Sequence, residues 1–450
     1  MANTSISWTP SVSGSRVKWT WSGWVKRNKI GVEQMLFGSY QSSSYNTELK
    51  FNSSDQIHFA DTYNSNTNGR IITTAQFKDT NAWYHIVAIF DNAAGSGASD
   101  KIQVWVNGVN QAGSYGNAPT QATTLNADGT KIQIGAKVTS DYFDGVMSHI
   151  HFCDGYHYDA SYFGETDSTT GEWKIKTDPS VSYGTNGFWI LKDGNSVTNQ
   201  AGTSNPSFTV ETGTLTKTED NPSNVFCTGN PLARFHANVD YANGNNTFNS
   251  GSGWFMGAGT LGASTGKWYY EYKITTLGTG NGYHKLGFMS DVGIASSPNA
   301  GHIAEAIVDG GYAFYCQNGN LEVRTNDAVV SGYDISTLGV SFSNGDIMCL
   351  AIDMDNKRAY FRKNGDAWIK SANPVNGTNG LDISSDYTAG KILIPAFASY
   401  YNGVGSLNFG NGYFGTSAVT SAGTNSSGNG IFEFDVPTGY TALSTKGLNL

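Results

Sequence analysis

Trp83-Tyr84-His85-Ile86-Val87-Ala88-Ile89-Phe90-Asp91, a short break, then Lys101-Ile102-Gln103-Val104-Trp105-Val106-Asn107-Gly108 decides the fold. The second half of the chain carries the same design: Asp346 to Asp353, a break, then Lys357-Arg358-Ala359-Tyr360-Phe361-Arg362-Lys363-Asn364-Gly365. Alternation with period two marks strands buried on one face, and Asn-Gly accepts the positive φ of tight hairpin turns. Within Trp83–Asp91 both faces are fairly apolar, as a central strand requires. A two-stranded arm therefore recurs in each half, and the chain is expected to be all-β, two antiparallel sandwiches in tandem.

Working outward, the 450 residues suit two domains with a structured connector. With 38% hydrophobic, 13% aromatic and only 14% charged residues, the chain has the means to bury cores. Gly 55 against Pro 10 fits many short strands joined by tight turns. In the first module, about 5–176, strands are expected at Arg16–Lys26, Met35–Tyr40, Thr47–Phe51, Gln56–Ala60, Ile71–Thr74, Trp83–Asp91, Lys101–Asn107, Lys131–Ala136 and Gly145–Asp154. Residues 177–230 are rich in Ser, Thr, Asn and Gly and read as an ordered connector with one strand in Tyr183–Leu191. The second module, 231–415, has strands at Gly266–Thr275, His284–Ser290, Gly311–Cys316, Asn320–Thr325, Asp346–Asp353, Arg358–Lys363, Ile392–Ser399 and Gly405–Phe409. In Gly266–Thr275, Trp268, Tyr270, Tyr272 and Ile274 fall on one side, and Lys267, Tyr269, Glu271 and Lys273 on the other, a half-buried pattern. The C-terminal extension, 416–450, is expected to add a last strand within Gly430–Tyr440.

The net charge of −9 has no compensating basic cluster, which argues against a nucleic-acid partner. No apolar run reaches the 18 residues a membrane-spanning helix needs, so no membrane insertion is expected. Cys153, Cys227, Cys316 and Cys349 lack metal-ligand spacing and read as buried free thiols.

Catalytic patterns start and fail. Carboxylates at alternate strand positions could flank a sugar bond, but Glu165-Thr-Asp167 continues Ser-Thr-Thr and Glu433-Phe-Asp435 runs into Val436-Pro437. His149 and His151 share a strand face and form a weak metal pair, with half-exposed histidines as the alternative. Calcium is the more plausible ion, with Asp141 and Asp144 before a strand as the candidate ligands and turn capping as the competing role. No other cofactor is expected. Sugar binding requires exposed flat aromatics beside amides and hydroxyls. Tyr40, Tyr45, Asn46, Tyr63, Tyr400, Tyr401 and Asn402 sit in such loops, which serve equally well as subunit contacts. Trp8, Trp19, Trp21, Trp24, Trp83 and Trp268 read as core.

Three clusters of the first module resemble the laminin-G-like, concanavalin-A-type lectin fold: Trp19-Thr-Trp21-Ser-Gly-Trp24-Val-Lys26, the Trp83–Val87 and Val104–Gly108 arm, and Phe143-Asp-Gly-Val-Met-Ser-His-Ile150. The second module resembles a SPRY domain through Gly266–Glu271, Leu286-Gly-Phe288, Gly311-Tyr-Ala-Phe314, Gly345-Asp-Ile347 with Ala351-Ile-Asp353, Arg362-Lys-Asn-Gly365 and Pro395-Ala-Phe397. Both are jelly-roll sandwiches. The pairing, with Phe163-Gly-Glu-Thr-Asp167 and Val436-Pro-x-Gly439-Tyr-x-Ala-Leu443, resembles virion-associated proteins of tailed phages, marine ones in particular. That resemblance implies a non-enzymatic virion structural protein: a tail-fibre or appendage component contacting host-surface carbohydrate or, alternatively, a capsid decoration or head-fibre protein with a purely structural role. It implies other virion proteins as partners, a homo-oligomer (a trimer for preference), and assembly in the host cytoplasm. The opening Met1-Ala-Asn-Thr-Ser-Ile-Ser-Trp8 lacks the regions of a secretory signal, in keeping with release by lysis.

Overall fold

The computed structural model describes residues 3–192, 194–234, 240–279, 282–296, 303–305 and 307–449. The chain divides into two compact units, Met1–Lys217 with Asn221–Ser223, and Thr218–Asp220 with Asn224–Leu450. Among the described residues no helix is long and apolar enough to cross a membrane.

The first unit is built from β1 (Ser5–Trp8), β2 (Lys18–Arg27), β3 (Gln34–Ser42), β4 (Tyr45–Phe51), β5 (Ile57–Tyr63), β6 (Asn66–Thr73), β7 (Trp83–Asp91) and β8 (Ile102–Val106). It continues with β9 (Val109–Asn110), β10 (Gly113–Tyr115), β11 (Ile132–Ile134), β12 (Gly145–Asp154), β13 (Gly164–Thr166), β14 (Trp173–Ile175), β15 (Phe188–Ile190) and β16 (Thr209–Thr212). Among the described residues these form an eight-stranded sheet, β10-β6-β5-β4-β3-β11-β1-β16, and a six-stranded sheet, β15-β12-β2-β7-β8-β9. Ile86, Ala88 and Phe90 of β7 enter the core between the sheets. Val87 and Ile89 instead meet Cys153, Ala160 and Phe163, packed on the other side. That second layer explains why β7 is apolar on both faces. All four cysteines are free and buried, and all six tryptophans expected in the core are buried.

The repeated Asn-Gly does the same job in both units. Asn107 stands at φ 47° and Gly108 at 81°, and the pair joins β8 to β9. Asn107 Oδ1 accepts from the His85 N–H at 2.8 Å, while its own N–H donates to the His85 carbonyl at 2.9 Å. In the second unit Asn364, at φ 51°, clasps Ile347 in the same way, at 2.8 and 2.7 Å. Each Asn thus closes the open end of its arm. Asn107→Ala or Asn364→Ala removes this clamp and strains a left-handed residue, at a cost of about 1–2 kcal/mol each. Replacement by Gly is expected to recover the backbone part, read as a higher urea midpoint than Ala's.

Residues 177–217 belong to the first unit. β15 pairs with β12, and β16 pairs with β1 at the sheet edge. Buried Asp154 holds the segment in place: it accepts from the Asn186 N–H at 2.9 Å, and Asn186 Nδ2 reaches Asn126 Oδ1 at 2.8 Å. β15 falls within the strand expected at Tyr183–Leu191, whereas β16 was not anticipated, because Thr209-Val-Glu-Thr212 is too short to show an alternation.

The second unit contains β17 (Gly229–Arg234), β18 (Asp240–Ala242), β19 (Thr247–Asn249), β20 (Phe255–Gly259), β21 (Lys267–Thr276), β22 (Tyr283–Ser290), β23 (Tyr312–Gln317), β24 (Asn320–Thr325) and β25 (Ala328–Val329). It also has β26 (Ile347–Asp353), β27 (Arg358–Lys363), β28 (Leu381–Asp382), β29 (Leu393–Tyr400), β30 (Val404–Asn408), β31 (Tyr413–Phe414), β32 (Ser417–Ala418) and β33 (Thr441–Ala442). Its main sheets among the described residues run β17-β20-β29-β22-β23-β24-β25 and β18-β19-β30-β21-β26-β27-β28. The fold is therefore two antiparallel sandwiches, each with its own core.

Two expectations for this unit are corrected. Trp268, Tyr270, Tyr272 and Ile274 face the core, but Tyr269 and Glu271 on the opposite side are also fully buried. Phe432, Val436 and Tyr440 of the C-terminal extension cover them. Nor does Gly430–Tyr440 form a strand: Ile431 makes one bridge to Asn411, and β33, which begins at the residue after Tyr440, pairs in parallel with β21. The N–H groups of Glu433 and Phe434 donate to the Glu271 carboxylate at 3.0 and 2.9 Å, where a ladder would have used backbone carbonyls. Pro437 removes a further donor.

Candidate functional site

The turn after β29 gives the second unit its most unusual surface. Tyr401 and Asn402 both lie in the left-handed region, at φ 53° and 59°. An aromatic residue there is uncommon, and such strain costs about 1–3 kcal/mol. The surroundings hold it: Asn402 N–H donates to the Gly251 carbonyl at 2.5 Å, and Thr279 N–H to the Tyr401 carbonyl at 2.8 Å. Gly278 permits that approach, since a Cβ there would lie 2.4 Å from the Tyr401 oxygen.

Tyr401 is 39% exposed and packs on Tyr400 with ring centroids 3.8 Å apart. Tyr283 and Tyr400 are register partners on β22 and β29, so their rings stand side by side at 5.8 Å. The Trp254 indole lies nearly parallel to both, 15° from Tyr400 at 4.8 Å and 20° from Tyr283 at 5.5 Å. Tyr315 extends the group from β23, 5.8 Å from Tyr283. Between Trp254 and Tyr315 sits the Lys285 ammonium, 4.8 and 4.2 Å from the two ring centres. Burial, followed by the nearby Arg324 charge, lowers this amine well below the usual lysine value. The platform is thus a set of aromatic rings with hydroxyl and amide groups at one margin, the chemistry that stacks on sugar rings and takes their hydroxyls.

In the first unit the candidate residues separate. Tyr45 and Tyr63 are cross-strand partners with edge-on rings 5.4 Å apart, and they continue the inward-facing rows of β4 and β5 past the core to the rim. Tyr40 and Asn46 pair on the opposite face of the sheet. Asn46 is buried and donates to the Ser42 and Ser43 carbonyls at 3.1 and 3.3 Å, so its amide is committed to its own loop. The Tyr40 ring carries Lys137, which is also 2.6 Å from Glu48.

An exposed tyrosine cluster that pattern reading passed over lies just after β12. Tyr156 and Tyr162 are 38% and 43% exposed. Tyr156 is nearly parallel to Tyr158 (8°, 5.6 Å), and Tyr162 lies 4.5 Å from Tyr158. The signal was Gly155-Tyr156-His-Tyr158, two rings at i and i+2 on one side of an extended segment.

Several catalytic arrangements are excluded by their own geometry. Ser22 Oγ lies 2.9 Å from His85 Nε2, a distance suited to a nucleophile and its base. The Trp173 indole, which can only donate, points at His85 Nδ1 from 3.0 Å. In the neutral ring Nε2 must then carry the proton, and it cannot accept one from Ser22. Burial lowers His85 to about 3, which keeps the ring neutral. On the outer sheet face Lys50 holds Glu33 and Glu48 at 2.9 and 3.2 Å. Burial would raise Glu48, but the hydrogen bond from Lys137 and the Lys50 charge bring it below the ordinary value, so it is no proton donor at neutral pH. A bulge in β12 sets His149 at φ 50°, out of alternation with His151. His149 bonds Ser148 Oγ at 2.8 Å and His151 bonds the Tyr183 hydroxyl at 2.9 Å.

Asp141 and Asp144 lie in the turn that leads into β12. The Asp141 carbonyl accepts from Met35 N–H at 2.7 Å, and the Asp144 carbonyl accepts from Asn28 N–H at 2.8 Å. Burial raises the Asp144 carboxyl, with Asn28 Nδ2 opposing at 3.4 Å. Among the described residues no group of three or more His, Cys, Asp or Glu side chains is placed to hold a metal ion.

A family model described as the concanavalin A-like lectin/glucanases superfamily matches residues 2–156. No curated protein matches the chain. Among solved structures, the SPRY domain of human HERC1 is 19% identical, covering 40% of this chain and 96% of its own at a TM-score of 0.29. A heptameric SAP-like pentraxin from Limulus polyphemus is 12% identical, covering 47% and 90% at 0.29. Domains LG4-5 of the mouse laminin alpha1 chain are 11% identical, covering 90% and 86% at 0.29. The first third of the chain is thus similar in sequence to a lectin superfamily, in a protein whose two units are both antiparallel β-sandwiches.

Proposed function

We propose that this protein binds carbohydrate without cleaving it, and that the Tyr400–Tyr401 platform of the second unit is a principal contact surface. The observation that carries the reading is Tyr401 itself, a strained and exposed aromatic ring held over a half-buried stack. Strain of this kind persists where the surroundings enforce it, and it concentrates at functional sites. The lectin-superfamily match of residues 2–156 supports the same ligand class for the first unit, where Tyr45 with Tyr63 and the Tyr156–Tyr158–Tyr162 group are the exposed aromatic surfaces.

Tyr401→Gly separates function from folding. Glycine adopts φ 53° without strain, so the melting temperature of the second unit is expected to hold or rise. Glycan affinity is expected to fall about tenfold, the size of a lost aromatic contact of roughly 1.5 kcal/mol. Unchanged affinity would remove Tyr401 from the site.

The finer reading follows the resemblance to tailed-phage virion proteins: a tail-fibre or appendage component touching host-surface glycan. Single sugar contacts are weak, and symmetric trimers or larger assemblies raise their strength by presenting several copies. Immunogold labelling of intact particles tests this placement. Label at the tail supports it, label on the capsid favours the decoration role, and no label on any particle rejects both.

A further inference from the structure

We propose that Lys285 makes the platform selective for acidic saccharides, with the carboxylate of a uronic or sialic-type sugar as the counter-ion this lysine lacks. This rests on the carbohydrate reading of the Tyr400–Tyr401 platform and names the class of sugar that it takes.

Lys285 lies on the outer face of its sheet, with Tyr315 and Ala398 as its register partners on either side. The floor of that face is made of small residues, Ala258, Ala313, Ala396 and Ala398, so the walls come from Trp254 and Tyr315. The side chain is 1% exposed and its ammonium is held by two ring faces. Ring faces attract a cation but accept none of its three N–H bonds, and a buried charge without a hydrogen-bonded partner is costly.

Among the described residues no carboxylate lies within 4 Å of this ammonium. Glu322 faces it from β24 but is occupied by Arg324. Glu305 and Asp327 face it from neighbouring loops and act only at longer range, as does the Arg324 charge. The tyrosines around it are Tyr283 and Tyr315. Lys50, buried to a similar degree in the first unit, shows the ordinary solution, with Glu33 at 2.9 Å and Glu48 at 3.2 Å. Lys285 has the burial without the acid. A ligand carboxylate beside the rings supplies it, through charge-assisted hydrogen bonds while the sugar ring stacks on the tyrosines.

The lowered amine gives the idea a signature beyond affinity. Where the free protein holds Lys285 neutral, binding a carboxylate restores its charge and takes up a proton from solution. Affinity for the acid then falls as pH rises, by roughly tenfold per pH unit at the limit.

The test is calorimetric titration of the intact protein with uronic- and sialic-acid oligosaccharides, each paired with its uncharged methyl ester, in buffers of different ionisation enthalpy. The acid is expected to bind at least tenfold tighter than its ester near pH 6, with proton uptake. Lys285→Met and Lys285→Gln, each checked for an unchanged thermal transition, are expected to bind acid and ester alike. Equal binding of acid and ester by the wild type, or a preference that survives both substitutions, overturns the acid selectivity and leaves the carbohydrate reading standing. No binding of either member of any pair overturns both.

Discussion

On acidification from pH 6.5 to 4.5, the first unit is expected to melt at progressively lower temperature while the second barely moves. Burial holds His58 at about 4 and His85 at about 3, and drives His151 well below the ordinary histidine value. All three lie in the first unit. A group whose folded value is depressed contributes stability that is present above its unfolded value, near 6.5, and is lost as pH falls toward the folded one. Asp61 works in the opposite sense, because burial raises it to about 6, so its contribution grows as pH falls through that value. Asp144, raised by burial, adds to that side. Three histidines outweigh the two acids, and the net loss over this window is on the order of 3–5 kcal/mol.

In the second unit one histidine meets one acid. Burial lowers His284 to about 4 and raises Glu271 to about 7, so their effects nearly cancel between pH 6.5 and 4.5. Lys285, lowered by burial from the ordinary lysine value, acts in the same sense as His284, so the comparison of the two units is made in the Lys285→Met variant. Scanning calorimetry across the pH range should show two transitions that separate as acid is added, the first unit's dropping by about 10 °C. Transitions that fall together would show that the buried imidazoles are not the cause.

Glu271→Ala should be the most damaging single change in the second unit. This carboxylate accepts from Glu433 and Phe434 N–H, from the Tyr269 hydroxyl at 3.0 Å and from Asn408 Nδ2 at 3.2 Å. Removing it leaves four buried donors without that acceptor, each costing about 1–3 kcal/mol where no substitute is found. A loss of at least about 3 kcal/mol is expected, with new protease cleavage between residues 419 and 436 as the C-terminal extension lifts off Tyr269. Glu271→Gln should cost less, since one acceptor survives, and it carries a second readout. Burial raises Glu271, so its contribution is present below pH 4.5 and is lost as pH rises through about 7. The glutamine variant should lose that alkaline decline. An unchanged urea midpoint and cleavage pattern in the alanine variant would mean that the extension is held by its apolar contacts alone.

Much of the fold was legible because its main strands declare themselves locally. β7 and β12 stand where the alternation places them, and Asn107-Gly108 makes the hairpin its turn chemistry requires, whereas at Asn364-Gly365 only the asparagine is left-handed and the next strand pairs much later. What stayed hidden depends on residues far away in the chain. Glu271 reads as a solvent-facing acid until a segment 160 residues later covers it. β15 lies inside the strand expected at Tyr183–Leu191, but β16 exists through its pairing with β1, which no local pattern encodes.

The candidate site was partly legible for the same reason. Tyr400, Tyr401 and Asn402 were visible as a polar aromatic turn, but the left-handed residues are Tyr401 and Asn402 where Asn402-Gly403 is the usual signal. Trp254, Tyr315 and the β22 pair Tyr283 and Lys285 come from three different stretches and meet only across the sheet. Tyr40 and Asn46 share a loop with Tyr45 in sequence, yet strand alternation sends them to the opposite face.

The account stands on saccharide being held and left whole. The most direct measurement immobilises the intact protein, passes a broad panel of bacterial surface polysaccharides over it, and assays both the retained glycan and the new reducing ends. Retention of at least one glycan with no increase in reducing ends is the predicted result. Retention of none, or release of shortened chains, would contradict it.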